Sequence, residues 1–283
     1  MAKASLEDKN QYYDKIRPCR EIIRSLLGKE QETLKILKRD NTNAAFIRLG
    51  LVDEMINLTS YYIILSSVSQ SMLKLRSEEA LNEGRKSLYK AVIYLEEVVS
   101  GCVDSPYSDY EDKLALIASV NSKDRYELVC KLGLGLSLLK NAYGYNTKWK
   151  WAFVELEGRY AAAAKNFIDL KNAVTNHDPR SPDYEPSVRH MRLIKKLLMQ
   201  TADRYREKYE LSTNRIDDFK MGINFLNALR RLHTILGERN DADTVKKKTD
   251  IWSAKLELDI KKAEEPDTKK TEDKKPPAVK NDR

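Results

Sequence analysis

Apolar side chains return every three or four positions through almost the whole of this chain, from Tyr12 to Ala263, and the interruptions are short. That spacing sets the apolar residues on one stripe of a helix, whereas strands would need alternation by twos. Only ten Gly and eight Pro occur in 283 residues, too few for the many turns of a strand-rich architecture. The expected fold is all-α: an elongated bundle of about eight amphipathic helices, several of 20–30 residues.

The breaks divide the chain. An opening helix is expected over Tyr12–Lys38, with Pro18 either starting or kinking it, after a flexible N-terminus of residues 1–11. "RDNTN" (39–43) is a turn with capping chemistry at Thr42 or Asn43. Long helices follow over Ala44–Leu75 and Glu78–Ser100, the second capped by Ser77 and stopped by Gly101. A short helix ends near Ala118, and others are expected over Arg125–Ala142 and Lys148–Thr175. "NHDPRSPDYEPS" (176–187) holds three prolines, so no helix should cross it, and it is a candidate sub-boundary in a bundle of residues 12–263. Helices over Val188–Leu211, Ile216–Leu236 and Ala242–Ala263 complete the series. Residues 264–283 carry twelve charges and three prolines with almost nothing to bury, which predicts a disordered tail.

No apolar run follows the first lysine, so a secretory or matrix-targeting leader is not expected and the default compartment is the cytoplasm. Cys19, Cys102 and Cys130 are odd in number and far apart, which fits reduced thiols and argues against a disulfide scaffold or zinc ribbon. The formal charge of +8 is uneven: +4 over residues 1–39, −1 over 40–180, +5 over 181–263 and zero over 264–283. The first and last helices would form one basic surface only if they lay side by side.

In a chain that is 33% charged, the nineteen residues Met55–Leu73, "MINLTSYYIILSSVSQSML", hold no charge at all. At about 1.5 Å per residue they would reach about 28 Å, close to a bilayer's thickness. Eight of the nineteen are Asn, Thr, Ser or Gln, however, and a span is predominantly apolar. Steps of 100° put Leu58, Tyr61, Tyr62, Ile64, Leu65, Val68, Met72 and Leu73 on one half, and Thr59, Ser60, Ser66, Ser67, Gln70 and Ser71 on the other. The serine half is either covered by a neighbouring helix or kept free of charge for a partner. The first reading is favoured, because a large helical domain needs a central helix with both sides covered.

Site chemistry is sparse. His177, His190 and His233 lie on different segments without metal-binding spacing, and His177 and His190 read as surface residues. The carboxylate pairs Asp53/Glu54, Glu78/Glu79, Glu96/Glu97 and Asp217/Asp218 sit about 100° apart on helices and make poor acid/base dyads. Gly133 and Gly135 lack the third glycine and the G-K-[ST] of a phosphate loop. No cofactor, metal, small-molecule substrate or catalytic activity is expected.

"KWKWAFVELEGRY" (148–160) mixes basic and aromatic residues, but Phe153, Leu156, Tyr160, Ala163, Ala164, Phe167 and Val174 form a core stripe, leaving Trp149 as the exposed aromatic. The best basic patch is Arg189, Arg192 and Lys196, soon interrupted by Asp203, Glu207 and Glu210. Fifteen tyrosines against five phenylalanines suit interfaces better than deep cores. The expected role is therefore a non-catalytic scaffold or structural subunit that binds another protein or itself through Thr59, Ser60, Ser66, Ser67, Gln70, Ser71 and Trp149. The alternative is a basic helical protein that binds nucleic acid or an anionic membrane.

Overall fold

A computed structural model of the chain describes residues 5–175 and 178–264, and every α-helix, 3-10 turn and π turn within them belongs to an all-α bundle. The helices are α1 (Leu6–Arg39), α2 (Ala44–Leu73), α3 (Glu78–Val98), α4 (Glu111–Ala115), α5 (Ser122–Tyr143), α6 (Lys150–Phe167), α7 (Leu170–Thr175), α8 (Tyr184–Lys208), α9 (Ile216–Ile235) and α10 (Arg239–Glu264). The predicted charged tail and His177 lie outside the described residues, except that Glu264 closes α10.

Local chemistry accounts for the boundaries that differ from expectation. Helix α1 begins at Leu6, inside the segment expected to be flexible, because Ser5 and Asp8 form a capping box. The Asp8 amide donates to Ser5 Oγ at 3.0 Å and the Ser5 amide donates to Asp8 Oδ2 at 3.0 Å. Pro18 is consequently interior to α1 and removes one of its backbone bonds. At the proline loop, α8 starts at Tyr184, so Pro186 falls in its first turn, where no amide donor is needed. Asn43 is the residue before α2 but is left-handed, with φ 57°, and makes no side-chain capping bond.

Two apolar clusters make up the core. The first joins α1 to α5 with one face of α6 through Phe153, Leu156, Tyr160, Ala163, Ala164 and Phe167. The second joins the opposite face of α6, at Val154, Ala161 and Ala162, to α8, α9 and α10. The helix with both sides covered is therefore α6, and the clusters meet there, upstream of the proline loop. Small side chains allow this. Ala161, Ala162, Ala163 and Ala164 are all buried, and a Cβ on Gly158 would stand 2.8 Å from Tyr205 Cε2 on α8. On the other side, Tyr160 fills the space left by Gly133 and donates its hydroxyl to the Val129 carbonyl at 3.0 Å.

The C-terminal end of α6 is held by buried polar groups from three directions, which is why the expected Lys148–Thr175 helix breaks at Ile168. Arg125 donates to the carbonyls of Val120, Phe167 and Ile117 at 2.9, 3.1 and 2.8 Å, satisfying a helix-end carbonyl that would otherwise be orphaned. Asn166 donates to Ser100 and Cys102 carbonyls, and the Lys165 ammonium to those of Val103 and Ser105. Burial lowers the Lys165 pKa to about 8. His190 is buried, against the surface position expected for it, with Nε2 3.1 Å from the Ala164 carbonyl. Desolvation pushes its pKa down to about 4, so the imidazole is neutral in the fold.

Elsewhere the ties are between layers. Buried Glu30 of α1 accepts from Tyr94 at 2.7 Å and Lys90 at 2.8 Å, both on α3. Lys208 joins Glu155 of α6 to Asp218 of α9 at 2.7 and 2.8 Å, just before the π turn Tyr209–Thr213. Helix α1 belongs to the first cluster and α10 to the second, and the two do not pack side by side as one basic surface would require.

Because α6 serves both clusters, Ala162→Leu and Ala163→Leu should each lower stability by about 1–3 kcal/mol through overpacking. Both should shift one shared denaturant transition; two transitions of which each variant moves only one would contradict a shared core. The neutral state of His190 has a pH consequence. Its folded pKa is depressed below the ordinary value of 6.5, so its contribution is complete above pH 6.5 and is lost as pH falls toward 4. Between those limits the wild type should lose about 3 kcal/mol more than His190→Gln, from about 1.4 kcal/mol per pKa unit over the shift. Parallel pH profiles of unfolding free energy would show that His190 does not titrate this way.

Candidate interaction surface

The uncharged stretch of α2 does not divide into the two halves expected. Thr59 and Ser66 are buried, with Ser69, while Ser60 is half-buried and Ser67, Gln70 and Ser71 are exposed. The reason is α3. Gly84 of α3 comes so close that a Cβ there would lie 3.2 Å from Tyr62 Cβ, and Thr59 faces it with its hydroxyl bonded to the Met55 carbonyl at 2.8 Å and the Gly84 carbonyl at 3.2 Å. Small polar residues on α2 thus serve close helix packing on one side. Ile64, expected on the apolar half, is 42% exposed.

The outer strip runs through the half-buried Asp53, Asn57 and Ser60 and the exposed Ile64, Ser67 and Ser71, spaced by fours and threes, with exposed Gln70 beside it. Helix α5 runs beside them in the same direction: Lys131 bonds Asp53, and Gly135 sits where a Cβ would touch Ile56 Cγ2 at 3.5 Å. This register brings Leu134 and Leu138, 59% and 43% exposed, next to the α2 face. The result is a strip of hydroxyls and three exposed aliphatic side chains, without a charge between the Lys131–Asp53 pair at one end and Lys74 at the other. Ser60 Oγ donates to the Ile56 carbonyl at 3.1 Å and Ser71 Oγ to the Val68 carbonyl at 3.0 Å, so these hydroxyls already have partners within their own helix.

Trp149 is half-buried, not free. The Arg85 guanidinium carbon stands 4.1 Å over its ring, a cation–π contact that covers the face expected to be open. The Arg85 Nε and the Tyr143 hydroxyl beside it are buried without a hydrogen-bond partner. Burial raises the Tyr143 pKa, and the hydroxyl stays neutral.

On α8, Arg189, Arg192 and Lys196 are exposed on one face as the spacing predicts. Arg189 is engaged by Glu185 at 2.5 Å, and Lys196 lies on the rim of a groove of about 1180 Å³ between α5, α6 and α8. Most charges lining that groove are paired: Lys140 with Glu157, and Glu207 with both Lys150 and Arg204 at 2.9 Å, while Asp203 bonds Lys248 at 2.6 Å. Those pairings hold the Glu207 carboxyl below the usual range, the Lys150 bond contributing most.

One constellation escaped the sequence reading. His233, Glu238 and Asp241 bring one nitrogen and two carboxylates within 4.8 Å of one another at the turn from α9 to α10. His233 Nδ1 is 2.6 Å from Glu238 Oε2, and Lys195 Nζ is 2.5 and 2.6 Å from the two Glu238 oxygens. The lysine ammonium already supplies the positive charge that a metal would bring, so the cluster reads as an ion-paired corner joining α8 to the turn. The three cysteines are free thiols, with Cys102 exposed. Among the described residues, no helix is long and apolar enough to cross a membrane.

No curated protein and no solved structure matches the chain. A family profile does match it over residues 8–260, from the first turn of α1 to the last turns of α10, and by that match the chain belongs to the TP0443 family.

Proposed function

We propose that this chain is a non-catalytic cytoplasmic scaffold or structural subunit, which works by presenting the α2–α5 strip to another protein molecule, of a different kind or a second copy of itself. The observation that carries this is the strip itself. Ile64, Leu134 and Leu138 are exposed along a charge-free helix face in a chain that is one-third charged. Apolar residues set among satisfied hydroxyls are inexpensive to dehydrate, and depletion of charge is the compositional mark of the centre of an interface. The tyrosines expected to suit interfaces are in good part buried, among them Tyr94, Tyr143, Tyr160 and Tyr205, and with the interlayer ion pairs they give such a surface a stiff support.

The exposed Arg189, Arg192 and Lys196 favour the second reading, binding to nucleic acid or an anionic membrane. Salt separates the two, because phosphate contacts weaken steeply between about 50 and 200 mM salt while an apolar contact does not. The tagged full chain should retain its bound protein at the higher salt and lose it on Ile64→Lys or Leu138→Lys, with Arg192→Glu/Lys196→Glu having no effect. Loss of all captured material at the higher salt, or on the α8 substitutions alone, would establish the basic reading in its place. Turnover of a substrate by the purified chain would defeat both.

A further inference from the structure

We propose that the second protein on the α2–α5 strip is another copy of this chain, the two α2 helices packing antiparallel along Asn57, Ser60, Ile64, Ser67 and Ser71 in a two-fold dimer. The inference rests on the reading of that strip as a docking surface. Four features of the strip favour a second copy over an unlike partner.

The first is spacing. Positions 57, 60, 64, 67 and 71 alternate by three and four, the repeat with which two helices mesh side by side along a seam. Setting Ile64 of one copy opposite Ser67 of the other places Ser60 opposite Ser71, and Asn57 opposite Lys74. The one bulky seam residue then always meets a small one, and the helices can approach closely.

The second is charge. In a two-fold interface the same patch faces itself, so a patch rich in one sign would repel its own image. With a formal charge of +8 on each copy, the contact must come from a neutral surface, and α2 carries no charge from Met55 to Leu73. Antiparallel packing also sets Lys74 of each copy toward the Asp53 end of the other, whereas a parallel pair would bring Lys74 against Lys74.

The third is that burial leaves little unsatisfied. The hydroxyls of Ser60 and Ser71 donate to carbonyls of their own helix, so covering them strands no donor. The fourth is area. From Asp53 to Lys74 the strip is about 30 Å long, and with α5 alongside it is about 20 Å wide, on the order of 600 Å² per copy. That is at the small end of specific interfaces, so the dimer should dissociate on dilution toward about micromolar concentration.

The test is the mass of the full chain in solution by light scattering or sedimentation across a dilution series. At high concentration the expected mass is twice 32.7 kDa, falling toward 32.7 kDa on dilution. Ile64→Lys should be monomeric throughout with its helical circular dichroism intact, and Ile251→Lys, on exposed α10, should behave as wild type. With Ser67→Cys, a short bis-maleimide should yield a peptide joined 67 to 67. A wild type that stays at 32.7 kDa at every concentration overturns the dimer but leaves the docking surface intact if Ile64→Lys still abolishes capture of another protein. A dimer that survives Ile64→Lys uses a different surface, and it overturns this proposal.

Discussion

The arrangement depends on one helix thin enough to be packed from both sides. Two layers of helices can share a central member only if their axes come close to it, and close approach requires small side chains on opposite faces. Helix α6 meets that requirement with Gly158 and Ala161–Ala164, while Phe153, Leu156 and Phe167 fill the first cluster and Val154 the second. Any side chain added to its thin faces has nowhere to go, because interiors are packed as densely as crystals.

That central role forces the polar chemistry at its end. Where α6 stops, its last carbonyls lie deep between the two layers, out of reach of bulk water, and must be met by side chains. Arg125 and His190 do this at Phe167 and Ala164, and Arg125, Asn166 and Lys165 tie the same end to carbonyls of the loops after α3 and α4. These residues could be taken for a site if viewed singly, since a buried histidine, lysine and arginine stand together. Apart from the Asn166 Oδ1 that Lys165 also meets at 2.9 Å, their partners are main-chain oxygens, which makes them the closure of a helix end.

Much of the fold was legible because it rests on periodicity. The all-α class, the interior stripe Phe153 to Phe167 and the helix ends expected at Ala142 and Leu236, which fall at Tyr143 and Ile235, follow from local rules that tertiary structure did not override, whereas α3 ends at Val98, short of the stop expected at Gly101. What was hidden is informative. The start of α1 was legible in the Ser5–Asp8 capping box and was missed. The burial of His190 was not, because its environment comes from α5 and α6, and nothing beside it in sequence reports them. On α2, a two-sided reading of the helix failed because the helix has four environments: α3 takes Thr59, α1 packs along another side, α5 lies beside Asp53 and Ile56, and the remaining strip faces out. The neutral stretch therefore has two causes, close packing inside and a charge-free surface outside, which the residue types alone could not separate. Trp149 was misjudged because its cover, Arg85, is distant in sequence.

Within the first cluster α2 packs against α1, α3 and α5, and its outer strip is the surface those helices leave uncovered. Amide hydrogen exchange of the full chain, compared at dilute and concentrated protein, tests most directly whether that strip exists to be covered. The account predicts that amides of Asn57–Ser71 and Leu134–Leu138 slow at the higher concentration while the solvent-facing turns of α8 and α10 do not change. Equal exchange of α2 at both concentrations, or slowing confined to the Arg189–Lys196 face, would contradict it.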